Sequence, residues 1–213
     1  HSKARQLKVS LAPVRITMVA GGTESEPSVL IADPQPIAQG DTLKNSLGIG
    51  KVFIVGIGDD GLAGVTDQAR QIVRKAELVF GSEHTLSRVA EVPGEKVAVG
   101  TDLREIARRI ESELSTKRMV VLASGDPLFY GVARFLCERV GKERFEVVPH
   151  VSSMQLAFAR VKESWEDAYL TSLANKSIEE VVDRVRTAEK LGLFTSEECS
   201  PADFARELLR SEI

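Results

Sequence analysis

Met119 to Ala123 (MVVLA) is the most continuous apolar run in the sequence. A strand that is apolar on both faces must be buried on both, and the middle of a parallel sheet covered by helices on each side provides that. The neighbouring segments agree. Val52 to Val55, Leu78 to Phe80, Lys96 to Val99 and Phe145 to Val148 read as further strands, and helical patterns lie between them. Thr66 caps a helix with Ala69, Ile72, Val73 and Ala76 on one face. Asp102 and Glu105 have capping-box spacing ahead of a stripe formed by Leu103, Ile106, Ala107, Ile110 and Leu114. A helix is expected from Pro127 to Val140, stopped by Gly141, and another from Ser152 to Val161. Strands alternating with helices specify an α/β fold with mainly parallel sheets flanked by helices.

After Trp165 the alternation restarts. Ala168–Leu173 and Leu191–Thr195 read as strands, and Ile178–Ala188 and Pro201–Leu209 as helices, the last opened by Ser200 and a first-turn proline. The expected organisation is an N-terminal α/β domain over 51–163 and a partial C-terminal α/β domain over 164–213, whose sheet calls for further strands. Residues 1–50 are rich in turn formers, with one strand-like run from Val14 to Ala20, and read as an extension or poorly ordered arm.

Composition narrows the partners. A net charge of −3 over 213 residues gives no global attraction to nucleic acid or an anionic membrane, so any anion site must be local. No apolar stretch approaches the length of a membrane span. Cys137 and Cys199, like His1, His84 and His150, are scattered and match no zinc spacing. The expectation is a cytoplasmic protein without a metal.

Gly56-x-Gly58-x-x-Gly61 follows the first of these strands with dinucleotide-turn spacing. Such a turn opens its helix at the third glycine, so that free N–H groups and the helix dipole meet the pyrophosphate. Here the better cap is Thr66, and Asp59 and Asp60 would repel that group. An NAD-binding Rossmann-type oxidoreductase is therefore the weaker alternative.

Two more strand ends bear small and polar residues: Ala123-Ser-Gly-Asp-Pro-Leu-Phe-Tyr-Gly131 and Pro149-His-Val-Ser-Ser-Met-Gln-Leu-Ala-Phe-Ala159. Each has a plain structural reading, Asp126 as a helix cap before Pro127 and Ser152 or Ser153 as a cap over an apolar helix. Together they place close-approach residues where open α/β sheets bind ligands. Met154 and Phe158 have helix spacing and read as core.

GIGDDGLAGVTDQA, LVFGSEHTL, ASGDPLFYG and VSSMQLAFARVKESWEDA, in this order from about Lys51 to Ser211, resemble the tetrapyrrole methylases. LVFGSEHTL and SWEDAYLTSL are most similar to the branch that methylates C5 of a corrin precursor. The resemblance implies a two-domain tetrapyrrole methylase fold with S-adenosylmethionine in the cleft. It also implies methyl transfer in cobalamin biosynthesis to an anionic tetrapyrrole of precorrin-6Y or cobalt-precorrin-7 type. Carried over by motif, Gly58 and Asp59 line the cleft; Ser124, Gly125, Asp126, Leu128, Phe129, Ser152 and Ser153 contact the cofactor, and Leu173 closes over it. Related bifunctional enzymes add a C15-methylating, decarboxylating unit, so such a domain or subunit is an implied partner. His150 departs from the glycine or asparagine usual before Val-Ser-Ser, and Ala174-Asn175-Lys176 from the usual His-Gly-Arg. The incomplete second domain leaves two readings open, a non-catalytic remnant or interaction module and self-association through open strand edges.

The chemistry asks little acid–base machinery of the protein, because a sulfonium methyl is already electrophilic. No general base is assigned. Arg88, Arg134, Arg160 and Lys176 lie near the motifs as candidate partners for substrate carboxylates, with solvated helix faces the plainer reading. His84 reads as a loop residue, and Trp165 as packing where the two domains join.

Overall fold

The structure is a computed structural model. It describes residues 49–213 apart from 101, 175 and 197, together with the backbone of three strands nearer the amino terminus. The chain divides into two units, residues 1–48 and 49–213. In the first, β1 (Gln6–Leu11), β2 (Val14–Val19) and β3 (Val29–Ala32) form an antiparallel sheet in that order. Residues 14–20 alone are strand-like in the sequence, so two of these strands are additional. The rest of the segment read as an arm lies outside the described residues.

The second unit is built on a five-stranded parallel sheet ordered β6-β5-β7-β4-β8. Its strands are β4 (Val52–Ile57), β5 (Leu78–Gly81), β6 (Glu95–Ala98), β7 (Met119–Ser124) and β8 (Phe145–Val148). The MVVLA run is central, as its hydrophobicity requires. β7 pairs with β5 on one side and with β4 on the other, in register from Val52↔Met119 to Ile57↔Ser124. Helices α1 (Asp67–Lys75), α2 (Glu83–Ser87), α3 (Leu103–Glu113), α4 (Ala133–Val140) and α5 (Ser153–Val161) connect or follow these strands. On one face, Ile106, Ala107, Ile110 and Leu136 pack against Val52, Ile54, Phe80, Met119 and Val121 to make the main core. The edge strand β6 is largely exposed and carries Glu95 and Lys96, charges that discourage edge-to-edge pairing.

Beyond α5, β9 (Tyr169–Ser172) and β10 (Leu191–Phe194) form a parallel pair. With α6 (Ile178–Val185) and α7 (Pro201–Arg210) they enclose a small core of Leu173, Val181, Val182 and Phe204.

Three local expectations need correction. α4 begins at Ala133, well after Pro127. The Asp126 carboxylate accepts from the Leu128 N–H at 2.9 Å, an Asx turn, and Tyr130 has a positive φ of 56°. Gly131 then packs so closely on the Pro127 backbone that a Cβ would overlap it, and the segment folds over itself before the helix starts. Asp102 does cap α3, but through the Arg104 N–H at 2.9 Å, without a reciprocal bond from Glu105. His84 lies in α2, a helix of five residues that is too short to show periodicity.

Candidate functional site

The carboxyl ends of β4, β5, β7 and β8 open on one edge of the large sheet, and three adjoining cavities lie there. The first, of about 120 Å³, is lined by Ile57, Gly58, Asp59, His84, Thr85, Arg88, Ser124, Gly125, Val151, Ser153 and Leu156. The second, of about 60 Å³, is an apolar slot of Phe129, Met154, Trp165 and Leu170 with Asp126, Ser152 and Gln155 as its polar members. The third, of about 280 Å³, shares Thr85 and Ser124 with the first and Phe129 with the second. A larger groove of about 330 Å³ lies away from the strand ends, beside α6 and α7. Ion pairs within α7, Arg206–Asp203 and Arg210–Glu207, occupy four of its five charged groups, Glu198 being the fifth.

Local folding explains how each loop reaches the edge. After β4, Gly58 and Gly61 close a tight turn through the Gly61 N–H to Gly58 carbonyl bond at 3.1 Å. The following helix opens only at Thr66, whose hydroxyl accepts from the Ala69 N–H at 3.2 Å. The glycine turn is thus not a helix N-terminus, and the geometry that holds a dinucleotide pyrophosphate is missing there. After β7, Gly125 has a φ of +65°, and a Cβ on it would stand 2.9 Å from the Ser152 Cα. That position needs glycine twice over, for its left-handed backbone and for the approach of the third loop. After β8, Ser152 caps α5 in a complete capping box: its hydroxyl accepts from the Gln155 N–H at 3.2 Å, and Gln155 Oε1 accepts from the Ser152 N–H at 2.8 Å.

Gly58, Asp59, Ser124, Gly125 and Ser153 meet at the first cavity, and Asp126, Phe129 and Ser152 at the second. Ser152 is buried and its hydroxyl serves the cap. Leu128 is exposed at the rim and lines none of the three. Leu173 does not reach the cavities; it is buried in the small core with Val181, Val182 and Phe204.

Sequence reasoning undervalued one side of the site. His84 Nε2 lies 3.1 Å from Asp59 Oδ1, and Arg88 Nη2 lies 4.0 Å from the same oxygen, so α2 and its C-cap residue Arg88 bring two basic side chains to the first cavity. A carboxylate only accepts, so this contact places the proton of a neutral His84 on Nε2. The signal was LVFGSEHTL itself, a motif with charge just past a strand end. The other basic candidates differ. Arg134 pairs with Glu138 on its own helix at 3.0 Å. Lys176 Nζ stands 3.4 Å from the Tyr169 hydroxyl and 5.7 Å from that ring's centre, beside the small sheet. Arg160 is exposed on α5.

The residues suit a ligand with an apolar aromatic part and a polar, partly cationic part. Phe129, Trp165, Met154 and Leu170 form a slot fit for a flat base, and the Asp126 carboxylate borders it. The Phe129, Tyr130 and Phe194 rings meet edge-on at 4.9–5.9 Å, and the Tyr130 hydroxyl donates to the Leu170 carbonyl at 3.1 Å. Those contacts bind the loop after β7 to the small sheet and close the slot from that side.

Comparison with known proteins bears on the family and the fold. A family model described as Tetrapyrrole (Corrin/Porphyrin) Methylases matches residues 51–212. The decarboxylating precorrin-6Y C(5,15)-methyltransferase of Sinorhizobium sp is 31% identical over 159 residues, which is 74% of this chain but 38% of that protein. The cobalt-precorrin-7 C(5)-methyltransferase of Salmonella typhimurium is 30% identical over 156 residues, 73% of this chain and 76% of the relative. Among solved structures, the methyltransferase CobJ superposes with a TM-score of 0.61 at 24% identity over 77% of each chain, a likeness of fold.

Proposed function

Because the chain belongs to the tetrapyrrole methylase family, we propose that it transfers a methyl group from S-adenosylmethionine to C5 of an anionic corrin precursor of the precorrin-6Y or cobalt-precorrin-7 type. The names of the relatives support the choice of carbon. One is named for C5 alone and the other for C5 and C15 with decarboxylation, so C5 is the position they share. The proposed reaction is therefore the C5 step.

The sulfonium cofactor supplies an electrophilic methyl group when bound. The residues of this chain have to bind, orient and keep out water. The slot of Phe129, Met154, Trp165 and Leu170 suits the adenine, with Asp126 at its polar edge. The first cavity, with Arg88 and His84 on one wall, suits a carboxylate-bearing ring edge. Fixing a methyl donor against a carbon nucleophile accounts for up to roughly 7–11 kcal/mol of barrier reduction, so alignment is the main task.

Calorimetry with S-adenosylmethionine, S-adenosylhomocysteine and NADH tests the reading. Saturable binding of the first two and none of NADH is expected. NADH binding without a response to either sulfur compound would overturn it. Turnover with a corrin precursor should add a methyl group at C5.

A further inference from the structure

The loop between β4 and α1 is held by its carbonyl groups in an unusual way. Four successive carbonyls, from Leu62 to Val65, each meet a side-chain donor. Arg70 Nε donates to Leu62 O at 2.9 Å, and its Nη2 to Ala63 O at 3.4 Å and Val65 O at 3.3 Å. Its Nη1 is fixed by Asp67 at 2.8 Å. The remaining carbonyl, Gly64 O, lies 3.2 Å from Nε2 of His150, which arrives from the loop after β8. The His150 ring also packs against Gly58, where its Cε1 stands 3.1 Å from the position a Cβ would take. Carbonyl oxygens only accept, so the imidazole holds Gly64 when Nε2 carries a proton, and in the neutral ring the Val151 carbonyl, 3.3 Å from Nδ1, competes for it. Neither Arg70 nor His150 lines the three strand-end cavities, whereas Gly58 and Asp59 do.

We propose that Arg70 and His150 are positioning residues, which hold the glycine loop from its outer side so that Gly58 and Asp59 form a preformed wall of the ligand cavity. The guanidinium fork reaches three carbonyls that a lysine ammonium on a flexible stem cannot span together. The imidazole joins the first loop to the third, and so couples two of the three strand ends that meet the ligand. Holding a wall in place before the ligand arrives removes an ordering cost from binding. The histidine that departs from the family's usual glycine or asparagine thereby has a definite task.

The choice of probe rests on the methyltransferase reading; the loop-holding role does not. Amide hydrogen exchange and S-adenosylhomocysteine calorimetry are measured on the full chain and on Arg70→Lys, His150→Asn and His150→Gln. The glutamine amide nitrogen reaches about where imidazole Nε2 does, and the asparagine nitrogen does not. Arg70→Lys and His150→Asn should speed exchange across residues 58–65, leave β4 and β7 protected, and weaken the probe by about two- to tenfold, the effect of one lost hydrogen bond. His150→Gln should stay near the parent in both measurements. Unchanged loop exchange in Arg70→Lys and His150→Asn overturns the proposal whatever the affinities. Faster loop exchange with unchanged affinity overturns it too, and so does equal behaviour of His150→Asn and His150→Gln. If the parent chain binds no probe, the methyltransferase reading fails, and the loop-holding role is decided by exchange alone.

Discussion

Asp126 sits where backbone geometry and ligand chemistry meet. Its carboxylate accepts from the Leu128 N–H, and it borders the slot formed by Phe129, Trp165 and Leu170. Asparagine keeps the accepting oxygen and loses the charge; alanine loses both. Asp126→Asn is therefore expected to match the parent in stability, and Asp126→Ala to lose about 0.5–1.5 kcal/mol in chemical denaturation. Because the demethylated product is uncharged at sulfur, comparing it with the sulfonium cofactor separates the two roles. Loop geometry predicts that Asp126→Ala weakens both ligands equally and that Asp126→Asn spares both. Selective loss of the sulfonium compound in Asp126→Asn would instead assign the carboxylate a direct electrostatic contact. The importance of this position was legible in Ser-Gly-Asp-Pro, because such residues end strands. The kind of turn was not, since Asp-Pro is equally good as a helix start, and the decision rests on Tyr130 reaching Leu170 some forty residues away.

The elements that were easiest to read are those fixed by local signals. Thr66, Ser152 and Ser200 each cap the helix expected of them, and buried parallel strands show as unbroken apolar runs. β6 is the opposite case, an exposed edge strand held to α3 by charge. Arg109 bridges Glu95 at 2.5 Å and Glu113 at 2.9 Å, while Lys117 reaches Glu113 at 2.6 Å and Glu95 at 3.7 Å. The bond from Arg109 holds the Glu95 carboxyl below its ordinary value of 4.5, and bonds from Lys117 and then Arg109 do the same for Glu113. A carboxyl lowered in the folded state contributes stability above its unfolded value, and loses that contribution as pH falls through the folded one. The network should thus stabilise fully above pH 4.5 and fade below it. Its groups are exposed or half-exposed and in contact with water, so the effect is modest and screened by salt. Glu95→Gln with Glu113→Gln should lower the melting temperature at neutral pH and converge on the parent in acid. A gap of constant size across that range would show that the pairs contribute nothing to folding.

At the scale of the whole 49–213 unit, what the sequence left unstated is how the large and small sheets meet. Gly192 marks the place. On β10, a Cβ there would stand 2.6 Å from Met154 Sδ on α5 and 2.6 Å from Leu170 Cδ2 on β9, with Phe158 at 3.0 Å. Helix α5 therefore touches the small sheet through a position with no side chain, and the Phe129–Tyr130–Phe194 cluster completes the junction. Periodicity identifies Met154 and Phe158 as core, but a contact to a glycine 38 and 34 residues further on leaves no trace in spacing. The same holds for the cavity residues: Ser124 and Gly125 are visible as strand ends, whereas Trp165 and Leu170 join them only through this junction. Gly192→Ala should overpack it at a cost of about 1–3 kcal/mol, and the strain should fall on the weaker partner. That partner is the two-stranded sheet with its small core, so exchange in β9 and β10 should rise while β4 and β7 remain protected. Because Leu170 forms part of the slot, S-adenosylhomocysteine affinity should fall with it, and saturating ligand should restore protection to β9 and β10 by favouring the joined state. One cooperative transition with parental protection and affinity would mean that the two sheets meet without needing this glycine.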